Sequence, residues 1–295
     1  MAKERDIKNR IKSISNTKKI TSTMEMVSTA KMKKMQGRLE MSKPYEEKIN
    51  HVINNLMTTG VINTVYNPLF KEMPNPTRIL ILQITGNRGL CGSFNANIIN
   101  NTLSFRDKLA EEGKSVTIYN IGKKGQNFLN FIKEPYLKSN PNPEDKMTFE
   151  DASRLAKELE GLFVSAEFHE VYISYMKVIS SVSQKPEILK FLPITKFKPE
   201  DELDPKMRVN TIYIFEPDPM SIFSYILPLF LKITMLTSFL ESSFSEQFAR
   251  RVAMKNATDA SGDMIRELTI SYNRARQAKI TKEISEIIGG AAALK

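Results

Sequence analysis

The stretch Ile84-Thr-Gly-Asn-Arg-Gly-Leu-Cys-Gly-Ser-Phe-Asn95 places Gly86, Gly89 and Gly92 where a strand is expected to give way to a helix. A glycine-rich turn at a helix N-terminus can cradle phosphate, because its backbone N–H groups converge on an anion and the helix dipole favours negative charge. The spacing here is G-x-x-G-x-x-G, not the G-x-G-x-x-G of dinucleotide sites. Asp107, about twenty residues on, falls inside a predicted helix and not at the end of a second strand. A tight crossover that uses glycine's backbone freedom is the better reading.

Little else in the chain is equipped for chemistry. The two histidines, His51 and His169, stand about 120 positions apart, outside any metal-ligand spacing and beside no nucleophile. Cys91 is the single cysteine, so neither an internal disulfide nor a cysteine-based zinc site can form, and a reducing compartment is expected. No phosphate loop, carboxylate pair or triad pattern is present. The expectation is a protein without catalytic residues, metal or cofactor.

Charge directs attention to partners. The formal net charge is +10, and residues 1–50 hold thirteen Lys or Arg against six Asp or Glu. Such an arm suits an anionic partner, whether acidic protein, lipid head group or nucleic acid. The basic cluster at Lys31, Lys33 and Lys34 lacks the interleaved aromatics of a single-strand binder, so nucleic acid is not expected. The N-terminus has no apolar signal core. Met220–Leu240 approaches the length of a membrane span, but Pro228, Lys232 and five Ser or Thr interrupt it; a buried helix packed on protein is expected.

These residues must be carried by three regions. Asp6 to about Met57 reads as one helix, with Pro44 a place to kink or redirect it. Its apolar stripe opens with Ile7, Ile11 and Ile14 and continues through Thr21, Met24 and Val27. Asp218 to about Ile288 reads as a second long helix, softened at Ser261-Gly262-Asp263 and stopped by Gly289-Gly290. Ile265, Leu268, Tyr272 and Ala275, then Ile280, Ile284 and Ile287, keep the spacing of a helix-pair seam. Between the arms the pattern alternates. Strands are expected at Arg78–Ile84, Ser115–Ile121 and Glu170–Tyr175, with extended stretches at Glu187–Pro193 and Val209–Phe215. Helices are expected at Asn95–Glu111, Lys123–Ile132 and Thr148–Phe163, the last after a proline-rich loop, Ser139 to Asp145. The fold class is therefore α/β: an N-terminal helix (residues 1–60), a central Rossmann-like domain with a largely parallel sheet (75–215) and a C-terminal helix (216–295), the two end helices pairing as an antiparallel coiled coil.

The ends also carry a resemblance. Ile11-Lys-Ser-Ile-Ser-Asn-Thr-Lys-Lys-Ile-Thr-Ser-Thr-Met-Glu-Met-Val27 resembles the opening of F-type ATP synthase γ subunits, and Thr85–Asn95 resembles their central R-G-L-C-G motif. Tyr272 to Ala292 is similar to their C-terminal signature, while Ser245–Arg250, Ala253–Thr258 and Glu216–Pro219 match further segments. Asn87, Arg251 and Asp259-Ala-Ser-Gly262 depart from the family's usual Asp, Met and Asn-rich turn. A cysteine-bearing regulatory insertion is absent.

The resemblance implies a central-stalk rotor that couples proton flow through a membrane c ring to ATP synthesis or hydrolysis at β subunits. It implies a hexameric ring of α and β subunits, the ε subunit and the c-subunit ring as partners. The location it implies is peripheral, on the cytoplasmic side of a bacterial inner membrane. By motif match, Met24, Gln247, Arg250, Arg276 and Gln277 would face the β subunits. Ile287, Ile288 and Leu294 would turn in an apolar bearing. Lys31, Lys33, Lys34, Tyr213 and Glu216 would meet the c ring or ε. Two other readings stay open at this point: a basic coiled-coil scaffold, whose DNA binding would weaken steeply with salt, and a nucleotide enzyme that would retain a dinucleotide.

Overall fold

The structure, a computed structural model, describes residues 2–58, 67–180, 183–194 and 219–293. The stretch Val209–Phe215 and the residues Tyr213, Glu216 and Leu294 lie outside them.

The element order is α1 (Ala2–Thr58), a 3-10 turn (Pro68–Phe70), β1 (Arg78–Ile84), α2 (Phe94–Glu111), β2 (Ser115–Ile121), α3 (Lys123–Phe131), β3 (Tyr136–Asn140), a second 3-10 turn (Glu144–Lys146), α4 (Phe149–Val164), β4 (Glu170–Val178), β5 (Gln184–Leu192) and α5 (Pro219–Ala293). The chain forms two compact units, Lys31–Gln247 and Met1–Ala30 with Phe248–Lys295.

In the first unit the sheet runs β3-β2-β1-β4-β5; the first four strands are parallel and β5 pairs antiparallel with β4. Both faces are covered. From Ile79 to Ile84 every residue of the central strand β1 is buried, the signature of a parallel sheet packed on two sides. Leu80, Leu82, Ile84, Ile121, Val171 and Ile173 join a core completed by Leu155 and Leu159 of α4, Ile49 and Ile53 of α1, and Leu227 to Phe239 of α5. Ile79, Ile81 and Leu109 form a smaller cluster with Phe105 and Tyr172, whose rings meet edge to face at 5.0 Å. Helix α4 begins cleanly because Thr148 and Asp151 make a capping box, satisfying two N–H groups that the helix start leaves free.

The second unit is an antiparallel helix pair. Thr21 meets Thr258, where the Thr258 hydroxyl donates to the Thr21 hydroxyl at 2.7 Å, and Glu4 meets Lys279 at 3.3 Å. The falling α1 number against the rising α5 number fixes the direction. On α1 the seam follows Ile7, Ile14, Thr21 and Ser28 at heptad spacing; on α5 it follows Met254, Thr258, Ser261, Ile265, Leu268, Tyr272, Ala275 and Lys279, all buried or half-buried.

Several expectations are corrected. Val27 is exposed and the buried position is Ser28, because the seven-residue repeat that starts at Ile7 arrives there. Ile280, Ile284 and Ile287 are exposed; the first turn of α1 lies opposite Lys279, so among the described residues no helix remains to cover them. Gly289-Gly290 do not stop α5, which runs on to Ala293. A glycine costs only roughly 1 kcal/mol against alanine in a helix, and the alanines that follow are the best helix formers. Pro44 sits inside α1 at an exposed position, where the carbonyl that loses its donor has water within reach. Strand β3 lies partly where the sequence pattern gives a loop, from Ser139 onward; it is short, polar and at the sheet edge, and carries none of the apolar alternation that marks a strand. The stretch read as extended over Glu187–Pro193 is the longer β5, and α2 and α3 differ from expectation by one residue each. Met220–Leu240 packs largely into the sheet's core, although α5 is long and apolar enough to cross a membrane by composition alone.

Candidate functional site

The glycine turn after β1 is occupied by the protein itself. The Gly86 N–H, which a phosphate would need, donates to Asn95 Oδ1 at 2.8 Å. A Cβ on Gly86 would lie 3.0 Å from the carboxylate of Glu246, so α5 presses a negative charge onto the place an anion would take. Asn87 Oδ1 accepts from the N–H groups of Asn142 (3.0 Å) and Lys123 (3.3 Å), while its Nδ2 donates to the Asn142 carbonyl (2.8 Å) and Glu144 Oε1 (3.1 Å). Thr85 Oγ1 donates to the Ile121 carbonyl at 2.9 Å and accepts from the Gly125 N–H at 3.0 Å. Gly122, at φ 106°, approaches Thr85 so closely that a Cβ would fall 2.2 Å from its carbonyl oxygen. The turn is a knot that ties the carboxyl ends of β1, β2 and β3 together. Asp107 lies on α2, paired with Arg106 at 2.6 Å.

The other candidates are tied down as well. His169 Nδ1 accepts from the Thr77 N–H at 3.0 Å, with Arg78 Nη2 3.0 Å from Nε2. Cys91 is buried, its Sγ accepting from Asn95 Nδ2 at 3.2 Å. Among the described residues no group of three His, Cys, Asp or Glu is placed to hold a metal ion.

The residues expected to meet partners do not form one cluster. Met24 is half-buried in the helix pair, whereas Arg250 is 8% exposed and engaged within the chain. Arg276 and Gln277 are exposed, about 39 Å further along α5 at 1.5 Å per residue. Gln247 is buried in the α/β unit. Lys33 and Lys34 are exposed and Lys31 half-buried. Ile287 and Ile288 stand 71% and 63% exposed.

The sequence reading missed how much apolar surface the helix pair turns outward. Ile20, Met26, Met264 and Ile270 are about half exposed or more, in addition to Ile280 and Ile284. Their signal was available: each lies off the heptad positions that pass through Ile7 and Ser261. Such surface on a helix pair marks a face for another protein.

The described residues thus define an α/β protein with a paired-helix unit whose outer surface is built for contact. The family described as ATP synthase matches residues 3–294. The ATP synthase gamma chain of Leptospira biflexa is 40% identical over 294 residues, covering 100% of each chain. That of Halothermothrix orenii is 39% identical over 293 residues, covering 99% of each. In fold, the chain is similar to one in the Euglena gracilis mitochondrial ATP synthase, OSCP/F1/c-ring, rotational state 3, with TM-score 0.66 and 20% identity over 99% of this chain and 95% of the other. The chain belongs to the ATP synthase γ-chain family.

Proposed function

We propose that the chain is the central-stalk rotor of an F-type ATP synthase, a non-catalytic subunit that transmits torque between a membrane c ring and three catalytic β subunits. The observation that carries this reading is the outward apolar surface of the helix pair, above all Ile280, Ile284, Ile287 and Ile288, which only another protein can cover. The partners follow from the family: a ring of α and β subunits around the helices, with ε and the c ring below. The location is peripheral, on the cytoplasmic side of a bacterial inner membrane.

The chemistry of such a part is differential contact. The α1 and α5 surfaces differ in sequence and run in opposite directions, so the pair has no threefold symmetry. Each of three otherwise equivalent β subunits meets a different surface, and each conformation is favoured by the contact free energy it gains. Arg276 and Gln277, exposed on α5, are positioned for charge-assisted hydrogen bonds to a partner carboxylate. Arg250 and Gln247, being buried, would act by holding the helix surface in shape; Met24 adds a soft, half-covered contact. Ile287, Ile288 and Leu294 form the apolar bearing, and Lys31, Lys33, Lys34, Tyr213 and Glu216 the lower contacts.

Native mass spectrometry of the complex extracted from membranes in mild detergent tests the reading. One copy of this chain with three copies each of two larger subunits is expected. A free monomer, a homo-oligomer or a complex with nucleic acid would overturn it.

A further inference from the structure

The α/β unit holds a second feature that the rotor reading does not use. One short segment, the turn from Asn142 to Met147 that follows β3, is bound at once to the end of β1 and to both long helices. Asn142, 7% exposed, donates through Nδ2 to the Thr85 carbonyl at 2.7 Å. The Glu144 N–H donates to Asn142 Oδ1 at 2.8 Å, and the Glu144 carboxylate accepts from Asn87 Nδ2 at 3.1 Å. On α1, the Arg38 guanidinium donates to the Met147 carbonyl. On α5, the Ser243 hydroxyl donates to the Glu144 carbonyl in a longer bond of 3.4 Å. The Met147 side chain is buried in the core that α1 and α5 share.

The backbone of this turn is held against its own preference. Glu144 sits at φ 56°, the left-handed region that is costly for a residue with a side chain. Such a conformation persists where its surroundings fix it, and here Asn142 and Asn87 do so. Both helix contacts lie within about two turns of Lys31 and Gln247, the bounds of this unit on α1 and α5. Elsewhere much of the grip on the helices is apolar, through Ile49 and Ile53 of α1 and Leu227 to Phe239 of α5. Apolar burial is non-directional: it resists separation but leaves a helix freer to turn about its axis or to slide. A hydrogen bond has a preferred direction and opposes both movements.

We propose that the Asn142–Met147 turn is a clasp that locks α1 and α5 to the sheet against rotation and sliding, with Arg38, Asn87 and Glu144 as its positioning residues. Its mechanical use rests on the rotor reading, in which torque applied to the α/β unit has to reach both helices without slip. Asn87 is the residue on which the clasp most depends. Its carboxamide offers an acceptor to the Asn142 and Lys123 N–H groups, and a donor to the Asn142 carbonyl and the Glu144 carboxylate. An aspartate at this position would keep the acceptor and set a second carboxylate against Glu144, the arrangement most costly to hold away from water.

The test compares wild type with Asn87→Asp, Glu144→Gln and the double variant, first as purified full chains and then in the reconstituted complex. In Asn87→Asp, amide hydrogen exchange across residues 34–42 and 240–247 is expected to quicken at least about tenfold, while Ile79 to Leu82 of β1 stays unchanged. Glu144→Gln should match wild type, since its amide oxygen still accepts from Asn87. The double variant should recover to within about threefold of wild type, because the amide at position 144 can donate to the new carboxylate. In the complex, protons pumped per ATP hydrolysed are expected to fall in Asn87→Asp and to recover in the double variant, with hydrolysis itself unchanged. Exchange that ignores Asn87→Asp, or that fails to recover in the double variant, would overturn the clasp. Quickened exchange with unchanged pumping would overturn it too, since the bonds would then hold the fold and transmit nothing. A chain that joins no complex counts against the rotor reading alone, and exchange in the full chain then decides the clasp by itself.

Discussion

The two compact units are built on opposite principles. In the α/β unit, β1 is buried from Ile79 to Ile84 and a continuous apolar core joins the sheet to α4 and to parts of α1 and α5. In the helix pair the buried positions include Thr21, Ser28, Arg250 and Ser261, and the aliphatic side chains Ile280, Ile284 and Ile287 face outward. Small and polar residues in the seam give close approach and hydrogen bonds but little removal of apolar surface from water. The α/β unit carries its own stability, whereas the helix pair is organised to gain stability from whatever surrounds it. That division suits a part that must be rigidly held at one place and must slide or change contacts at another.

The comparison can be broken most directly in the core. Leu82→Ala, at a fully buried position of β1, is expected to cost about 3–4 kcal/mol, as leucine truncation in a closed core does. Urea unfolding followed by circular dichroism would read it. A loss below about 1 kcal/mol would mean that the sheet is not the anchor of the unit.

Two acids set into the α/β unit, Glu46 of α1 and Glu241 of α5, give the next largest effect, and its sign follows from proton binding. Glu241 titrates at about 7 when folded, against an ordinary 4.5. The folded chain therefore holds a proton that the unfolded chain releases, so this contribution to stability is fully present below about pH 4.5 and is lost as pH rises to about 7. Glu46 is shifted in the same direction. The loss is on the order of 3 kcal/mol for a free carboxyl shift of this size. In Glu241→Gln that part of the pH slope should vanish, so wild type and variant should differ more at pH 7.5 than at pH 5 in the wild type's disfavour. Parallel stability curves for the two proteins would contradict the assignment.

The sequence revealed the units unequally. Arg78–Ile84 and Ser115–Ile121 were legible because buried parallel strands are β-branched, apolar and bounded by turn residues. Ile265, Leu268, Tyr272 and Ala275 were legible as a seam because heptad spacing survives even when burial is partial. The same spacing misled at Ile280, Ile284 and Ile287, since periodicity records a stripe and not whether a partner lies beside it. Strand β3 escaped because its pairing is carried by backbone groups, to which its polar side chains add no pattern. The clasp from Asn142 to Met147 was hidden for another reason: its partners Arg38, Asn87 and Ser243 are spread along most of the chain, and only the packed fold brings them together. Of the expected contact residues, their types and motifs could be read, but not that Arg250 is buried while Arg276 is free to meet solvent.

A smaller effect sharpens the contrast from the other side. Ile265→Ala removes a half-buried seam residue and should cost about 1 kcal/mol, seen as roughly fivefold faster amide exchange across residues 258–279. Exchange in β1 should stay unchanged. If β1 loses protection in step with α5, the two units do not open independently and the division drawn between them fails.

The smallest change in stability is expected at Arg276, a residue proposed to meet a partner. Arg276 is exposed on α5, and its replacement by Glu would set the new carboxylate one turn from Lys279. Surface substitutions of this kind stay within about 0.5 kcal/mol, so unfolding of Arg276→Glu should match wild type. If the proposed contact holds, its effect should appear only in the assembled enzyme, where the reversed charge would meet the partner's carboxylate. The measurement is proton pumping per ATP hydrolysed by the complex reconstituted in vesicles, with hydrolysis assayed on the same sample. Coupling should fall while the chain remains assembled and folded, which separates a contact that transmits torque from one that merely holds the helix. Unchanged pumping would move the coupling function off this part of α5 and onto the region near Met24 and Arg250, where burial, not exposed charge, would have to carry it.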